Sequence, residues 1–552
     1  MRSRLPLAVG VAASGLYLLT LTPNLALAHD AAGYLASIQS GQADELAHPH
    51  HLLYNAVAAL WLKLFGWIGL PPAQTVASLN ALAGGACVGL IAALLRDRGG
   101  VPTRLALGAA AAAGVSFGLW FYSVAVEVYV IPLAFLLATL YVLLGPPSSR
   151  QIVTVGVLHG LAMLFHQVHV LFGVVVLVVL WRRRSEIPWI RRAATYVVAG
   201  SVIVIGGYGA ALAFAVDAHS IEEAWVWFTL YAQDDSYLHP VALSTAAKAT
   251  VGFVRSIVGG HFGFAMESVQ SLLLRAFPDK MLDDETFLVS GLPGWLPPLL
   301  LGLGALAGAG SATLAITAAR RRGPATTTGR DLRAALATWI GLYAVFFFFW
   351  DPFNVEFWIP QTTALWMLVA LGLTDREGQV PTWSVRTMGA VAALLLLVNG
   401  LGTIAPARDA SRDVFAARLA PLAETVGPGD LVVVPSAHIT KSYVTLNLGA
   451  ETVGVAQTIR PNAEAAPVPP TEAADAILAR VHEARQRGTR VAIAMAVVTP
   501  DETTLRIYGP DVDAAAQSLR ERLPPFDAEA GGPISRFGLY VPESAEGPQI
   551  SR

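Results

Sequence analysis

The residues best placed to do chemistry follow the first apolar run. Asp30 comes directly after the hydrophobic stretch 5–23, and a short polar loop then leads to His48-Pro49-His50-His51 and Tyr54 at the head of a second apolar stretch. A carboxylate held beside a membrane surface, between two hydrophobic segments, is expensive to place and is therefore a functional candidate. Ionised at neutral pH, it can take a proton from a hydroxyl held against it, with positioning supplying what basicity lacks. The bland alternative for Asp30 is a solvated loop acid. Glu127 is expected about a turn inside an apolar helix that follows Trp120. A carboxylate there is costly unless it is salt-bridged or holds a polar ligand. His166 and Gln167, with His169, mark the next polar turn, and Asp351, Asn354 and Glu356 a Trp-rich turn further on. Their side chains suit hydrogen bonding to a phosphate or a sugar hydroxyl; Asp351 and Asn354 beside Pro352 equally suit an exposed turn. A metal reading of the histidines would need ligands converging on one point, which spacing alone does not provide. No cofactor is expected to be required, with a divalent metal as the alternative.

These residues must be positioned by membrane helices. Of 552 residues, 54% are hydrophobic and 14% charged, with mean hydropathy +0.54, where soluble proteins carry about 25% charged residues. The chain reads as a polytopic membrane protein, and its net charge of −2 gives no basis for a nucleic-acid partner. A single cysteine, Cys87, excludes an intramolecular disulfide. The Ala- and Gly-rich composition points to a bacterial source, hence to the cytoplasmic (inner) membrane. Arg2, Arg4, an apolar run and Ala26-Leu27-Ala28 resemble a secretory signal with a cleavage site. The adopted reading is an uncleaved first helix, as multi-span proteins commonly use.

Stretches near 5–23, 74–95, 103–119, 123–144, 151–166, 168–181, 193–216, 294–319, 334–350, 357–374 and 383–405 give about eleven expected spans. The stretch 51–69 contains Lys63 and ends at Gly-Leu-Pro-Pro, and is read as a helix lying in the interface. With it lying flat, the basic clusters Arg96–Arg104, Arg182–Arg192, Arg320–Arg333 and Arg376–Arg386 fall on the same side as Arg2 and Arg4. The positive-inside rule then puts the N-terminus in the cytoplasm and the C-terminus outside. The first loop (24–73) and a long loop (217–293) face outward. The long loop carries Glu222, Glu223, Asp234, Asp235, Asp283, Asp284 and Glu285 among Trp225, Trp227, Tyr231 and Tyr237. Rings with acids suit sugar binding, since the CH faces of a pyranose pack on aromatics while carboxylates accept its hydroxyl protons. An interfacial aromatic belt is the alternative.

The transmembrane domain is expected over 1–405 and a small outer α/β domain over 406–552. Leu431–Pro435, Arg490–Val497 and Ile534–Val541 read as strands, and Glu472–Arg487 and Asp511–Leu523 as amphipathic helices. The outer domain shows no Gly-rich phosphate loop and no nucleophile elbow. Acceptor binding and a structural cap are both open to it.

Taken in order, the motifs resemble the polytopic GT-C glycosyltransferases, most closely their protein O-mannosyltransferase-like branch. That branch shows Gly-Asp-Ser-Gly-Glu and then His-Pro-Pro-Gly-Tyr-Pro-Leu-Tyr. This chain has His29-Asp30-Ala31-Ala32-Gly33-Tyr34 and then His48-Pro49-His50-His51-Leu52-Leu53-Tyr54. Trp120 with Glu127-Val128-Tyr129, and Gly160-Leu161-Ala162 with His166-Gln167, also match, so the resemblance covers roughly residues 5–182 with an echo at 340–370. Ala31-Ala32 stands in place of polar residues after the acid, and His50-His51 in place of Pro-Gly. The resemblance implies a sugar donor on a polyprenyl phosphate at the outer leaflet, a hydroxyl acceptor on protein, glycan or lipid, and inversion as the lipid phosphate leaves. It gives Asp30 the role of base. It has His48, Tyr54, Glu127, Tyr129, His166 and Gln167 line the donor or acceptor site, joined by Asp351, Asn354 and Glu356. Lys63, Arg255, Arg275 and Lys280 are the outer cations available to the phosphate. A transporter or flippase of a lipid-linked substrate, and a non-catalytic sugar-binding membrane scaffold, are the alternatives. Absence of internal repeats and the gathering of polar residues on one face favour the enzyme.

Overall fold

The computed structural model describes residues 4–229, 237–277, 280, 282–321, 323, 326–460, 466–532 and 534–542. Tyr231, Asp234 and Asp235 of the long loop lie outside them. The chain divides into two compact units. The first comprises Met1–Pro23, Ser37–Ala265 and Gly291–Arg408; the second comprises Asn24–Ala36, Met266–Ser290 and Asp409–Arg552.

The first unit is helical. Five of its described helices are long and apolar enough to cross a membrane: Pro72–Arg98, Trp189–Phe214, Leu296–Arg320, Thr327–Phe349 and Thr382–Ala407. The chain is an integral membrane protein. A sixth crossing forms if Thr103–Gly114 and Phe117–Val124 are taken together, although they bend by 60°. Helices also occupy the remaining five expected stretches, over Leu5–Leu19, Val130–Leu143, Ser149–Phe165, Gln167–Arg182 and Ile359–Leu373. At 14 to 17 residues they fall short of the roughly 20 that a perpendicular crossing needs. Among the described residues five helices, or six with the bent pair, are thus long enough to cross by themselves, against about eleven expected stretches. Hydropathy reports where apolar helix forms but overstates length wherever the chain breaks for a polar turn.

Local chemistry explains several boundaries. Ser148 and Gln151 form a reciprocal capping box that starts Ser149–Phe165, and the Thr326 hydroxyl accepts from Gly329 N at 3.1 Å to start Thr327–Phe349. Leu5–Leu19 packs on Pro72–Ala93 through small residues. A Cβ on Gly85 would stand 2.6 Å from the Gly10 carbonyl oxygen, and one on Gly89 2.9 Å from that of Pro6. Backbones this close need glycine at the crossing. The helix expected to lie flat is Tyr54–Phe65, 12 residues long and too short to cross. Leu60, Leu64 and Trp67 are exposed along it and just beyond.

The second unit holds a five-stranded sheet: β1 (Leu431–Val434), β2 (Glu451–Gly454), β3 (Val491–Ala494), β4 (Ala528–Gly531) and β5 (Arg536–Tyr540), in the order β2-β1-β3-β5-β4. β1 runs parallel to both β2 and β3, while β5 is antiparallel to β3 and β4. Period-two alternation sends Val432, Val434, Ala492, Phe537 and Leu539 into one core, which also takes Ala26, Ala32 and Tyr443. Leu431, Val433, Val491, Ile493 and Tyr540 enter the other, under Pro470–Gln486 and Pro510–Arg522. β2 and β4 were not anticipated, and the strand expected over Arg490–Val497 stops at Ala494, where Met495–Val498 turns helical.

Candidate active site

Asp30 belongs to the second unit. Its carbonyl accepts the Tyr34 N–H at 2.9 Å at the start of Ala31–Ser40, so the residue is fixed at a helix N-terminus. Its side chain reaches solvent, yet flanking atoms crowd the carboxylate. The partial desolvation raises its pKa above the ordinary carboxylate value, opposed by His29 and His438 nearby. Among the described residues no protein group hydrogen-bonds this carboxylate. The acids around it are engaged. His29 Nε2 lies 3.0 Å from Asp284 Oδ2, and Arg418 donates to Asp283 at 2.5 Å. Burial disfavours the Asp284 anion, but the hydrogen bond to His29 leads the effects that outweigh it and hold this carboxyl well below the usual range. The segment leading to Asp30 is anchored at Asp413, whose Oδ2 accepts from Leu25 N at 2.9 Å and from the Tyr443 hydroxyl at 2.8 Å.

The other nine expected residues lie in the first unit. Four of them, His48, Tyr129, His166 and Glu356, meet in one web of ring contacts closed by a hydrogen bond. His48 stacks on His51 with ring centres 5.2 Å apart, and His51 meets His166 edge-on at 4.5 Å. His166 lies 5.3 Å from Tyr129, which packs edge-on against Tyr122 at 5.6 Å. The Tyr122 hydroxyl donates to Glu356 Oε2 at 2.7 Å. One polar path therefore joins the first loop, the turn before Val130, the turn after Phe165 and the Trp-rich turn. Burial lowers the pKa of His48 and His50 to about 4 and that of His51 well below its ordinary value, with neighbouring histidines adding to the effect on His48 and His51. All three are neutral at pH 7, each ring carrying one donor and one acceptor. From His169, Nδ1 pairs with the Tyr343 hydroxyl at 3.0 Å, and its carbonyl accepts from His159 Nε2 at 2.8 Å.

Glu127 is buried, at 3% exposure, but it is not in a helix. The chain breaks between Phe117–Val124 and Val130–Leu143, and Glu127 sits in the break. Asn80 holds that break open, donating to the carbonyls of Ala125 at 2.8 Å and Glu127 at 2.7 Å. The Tyr54 hydroxyl lies 3.4 Å from the same amide nitrogen. Because both close partners are carbonyls, the amide orientation is fixed. Asp351 and Asn354 pair with each other at 2.5 Å, and Asp351 adopts φ 41°, which a turn tolerates in Asp. No described contact brings these two, or the Gln167 side chain, into the web. Among the described residues no three His, Cys, Asp or Glu side chains are disposed to hold a metal ion.

Sequence reasoning passed over Tyr122 and Asn80. Asn80 carried a usable signal as a lone amide inside an apolar span. Tyr122 carried none, because its partner lies 234 residues away. Arg255, one of four candidate cations, donates to the Gly259 carbonyl at 3.3 Å and to His261 Nε2 at 3.0 Å. His261 must then carry its proton on Nδ1, which lies 3.1 Å from the Thr403 hydroxyl.

The fold as a whole has a solved counterpart. A solved structure of ArnT from Cupriavidus metallidurans bound to undecaprenyl phosphate superposes with TM-score 0.54, covering 99% of each chain at 15% identity. The apo state of ArnT from the same organism gives TM-score 0.48 at 14% identity, covering 97% of this chain and 96% of that one. The Archaeoglobus fulgidus oligosaccharyltransferase in complex with Zn and sulfate gives 0.48 at 12%, covering 97% of this chain and 74% of that one. No protein-family model and no curated protein matches the sequence.

Proposed function

We propose that the protein is a membrane glycosyltransferase that moves a sugar from a polyprenyl-phosphate donor to a hydroxyl acceptor on the outer side of the membrane. The observation that carries this reading is the end-to-end likeness in fold to ArnT bound to undecaprenyl phosphate. Asp30, the one acid of its neighbourhood with no protein hydrogen bond to its carboxylate among the described residues, takes the role of base. It removes the acceptor proton as the oxygen attacks the anomeric carbon. The bond from that carbon to the phosphate oxygen breaks, and the polyprenyl phosphate leaves as an anion with inversion at carbon. The web from His48 to Glu356 takes the role of recognition. Neutral imidazoles donate to phosphate or sugar oxygens without carrying charge, and Glu356, already accepting from Tyr122, has further lone pairs for a sugar hydroxyl. Arg255 is the cation of the first unit best held to meet a phosphate. The motifs at Asp30, His48–Tyr54 and Glu127–Tyr129 support the O-mannosyltransferase-like branch and a hexose as the sugar.

The test is transfer or slow hydrolysis of radiolabelled polyprenyl-phosphate sugars by purified protein, wild type beside Asp30→Asn. Sugar release by wild type alone supports donor class and base together. Equal release by both removes Asp30 from the chemistry. No release by either, across a broad donor panel and with folded protein, rejects the enzyme.

A further inference from the structure

The sheet of the second unit has a crevice that the transfer reaction does not use. From β1 the chain crosses to β2 on one side, then returns past β1 to β3 on the other. The strand order therefore reverses between β1 and β3, and their carboxyl ends diverge there. In open α/β sheets ligands bind outside the carboxyl ends of the strands at such a switch point. A cavity of about 690 Å³ occupies this place, walled by Val434-Pro435-Ser436 after β1 and Ala494-Met495-Ala496 after β3. That volume lies within the roughly 300–1,000 Å³ typical of small-ligand sites.

We infer that this crevice binds a neutral, hydroxyl-rich saccharide segment. Charge excludes the commonest occupant of a switch point, a phosphate. The two arginines on the wall are each engaged by a carboxylate, Arg418 by Asp283 at 2.5 Å and Arg536 by Glu529 at 2.5 Å. The turn after β1 reads Pro435-Ser436-Ala437-His438, with no glycine to let a backbone nest close on an anion. What remains is polar and uncharged. Thr440, Thr499 and Tyr508 line the cavity, and among the described residues their hydroxyls make no hydrogen bond to the protein. Each can both donate and accept, as sugar hydroxyls do. The Asp501 carboxylate accepts the Thr504 N–H at 2.7 Å through Oδ1, and as an acceptor it has capacity for ligand hydroxyls. Phe415, Phe537 and the Tyr508 ring supply apolar wall, the counterpart of the CH faces of a pyranose. Hydroxyls, one acidic acceptor and rings, with cations neutralised, fit a glycan better than a nucleotide or a fatty chain.

The inference stands without the transfer reaction and is tested separately from it. Full-length protein in nanodiscs, free of sugar-headed detergent, is titrated with mannotriose and maltotriose, and separately with inorganic phosphate and ADP. Binding is read by saturation-transfer NMR. Wild type is expected to bind a trisaccharide and neither phosphate nor ADP. Tyr508→Phe, which deletes only an oxygen, should weaken binding roughly three- to tenfold, the worth of one hydrogen bond. Ala496→Trp, which fills the cavity, should abolish it. Asp30→Asn should leave trisaccharide binding at the wild-type level even where transfer is lost. The inference is overturned if folded wild type binds no trisaccharide, if both crevice variants bind as wild type does, if phosphate or ADP binds instead, or if Asp30→Asn removes the signal.

Discussion

Two aspartates of the second unit differ in what surrounds their carboxylates. Asp413 is 3% exposed and saturated: Leu25 N and the Tyr443 hydroxyl meet one oxygen, and Phe415 N and Ala416 N meet the other at 3.1 and 3.0 Å. Asp30 reaches solvent, carries no protein hydrogen bond to its carboxylate among the described residues, and has a raised pKa. A carboxylate whose lone pairs are all spoken for holds structure together. One that is crowded, held by its backbone and left unbonded has proton affinity to use. Burial alone does not sort the two roles, since Asp284 is also buried and yet is held well below the usual carboxylate range, chiefly by His29. Partners decide.

The strongest way to break this contrast is to neutralise each acid in turn. Asp30→Asn should lower the transfer rate by about 10²–10⁴-fold, the usual worth of a positioned base, with an unchanged melting curve. Activity within a few-fold of wild type would void the assignment. Asp413→Ala should do the reverse in kind, costing about 2–4 kcal/mol as it strands a buried hydroxyl and three N–H groups. Denaturant titration of the purified variant checks this, and an unaltered midpoint would show that the four hydrogen bonds to Asp413 are dispensable.

The pH dependence sharpens the comparison further. A base must be ionised to act, so the rate should fall as pH drops through the Asp30 pKa. Because that pKa is raised, the acidic limb should lie above the ordinary Asp value of about 4, and a limb at or below it would contradict the desolvation. Asp284 contributes to stability with its own sign. Its folded pKa is depressed, so the stabilisation is full above the unfolded value of about 4 and fades as pH falls below it. His29→Gln should therefore narrow the gap in stability between pH 7 and pH 3, measured by thermal melts at each. In the first unit, Tyr122→Phe should lower kcat/KM by roughly three- to tenfold through loss of one charge-assisted hydrogen bond. No change would detach Glu356 from recognition.

Much of the fold was legible from sequence because membrane helices announce themselves by hydropathy and buried strands by runs such as Leu431-Val432-Val433-Val434. β2 and β4 were not, since Glu451–Gly454 and Ala528–Gly531 are four residues each and glycine-ended, β4 largely exposed and β2 mostly half-buried. The helix expected to carry Glu127 was misread for a related reason. Ala125-Val126-Glu127-Val128-Tyr129 is apolar enough to continue a helix, and only Asn80, 45 residues earlier, tells that it does not. Residue types pointed to His48, Tyr129, His166 and Glu356, but their wiring through His51 and Tyr122 depends on distant pairings that one sequence does not display. The Asp351–Asn354 pair shows the converse, polar residues in a suggestive cluster whose described contact is with each other.

The grip of Asn80 has a consequence for how the loop is specified. Its amide grasps the carbonyl oxygens of residues 125 and 127, atoms that every amino acid supplies. The shape of the break is thus set by one asparagine side chain and two peptide carbonyls. A loop fastened through peptide carbonyls is held by its backbone, so its shape does not depend on a side-chain partner at the fastened positions.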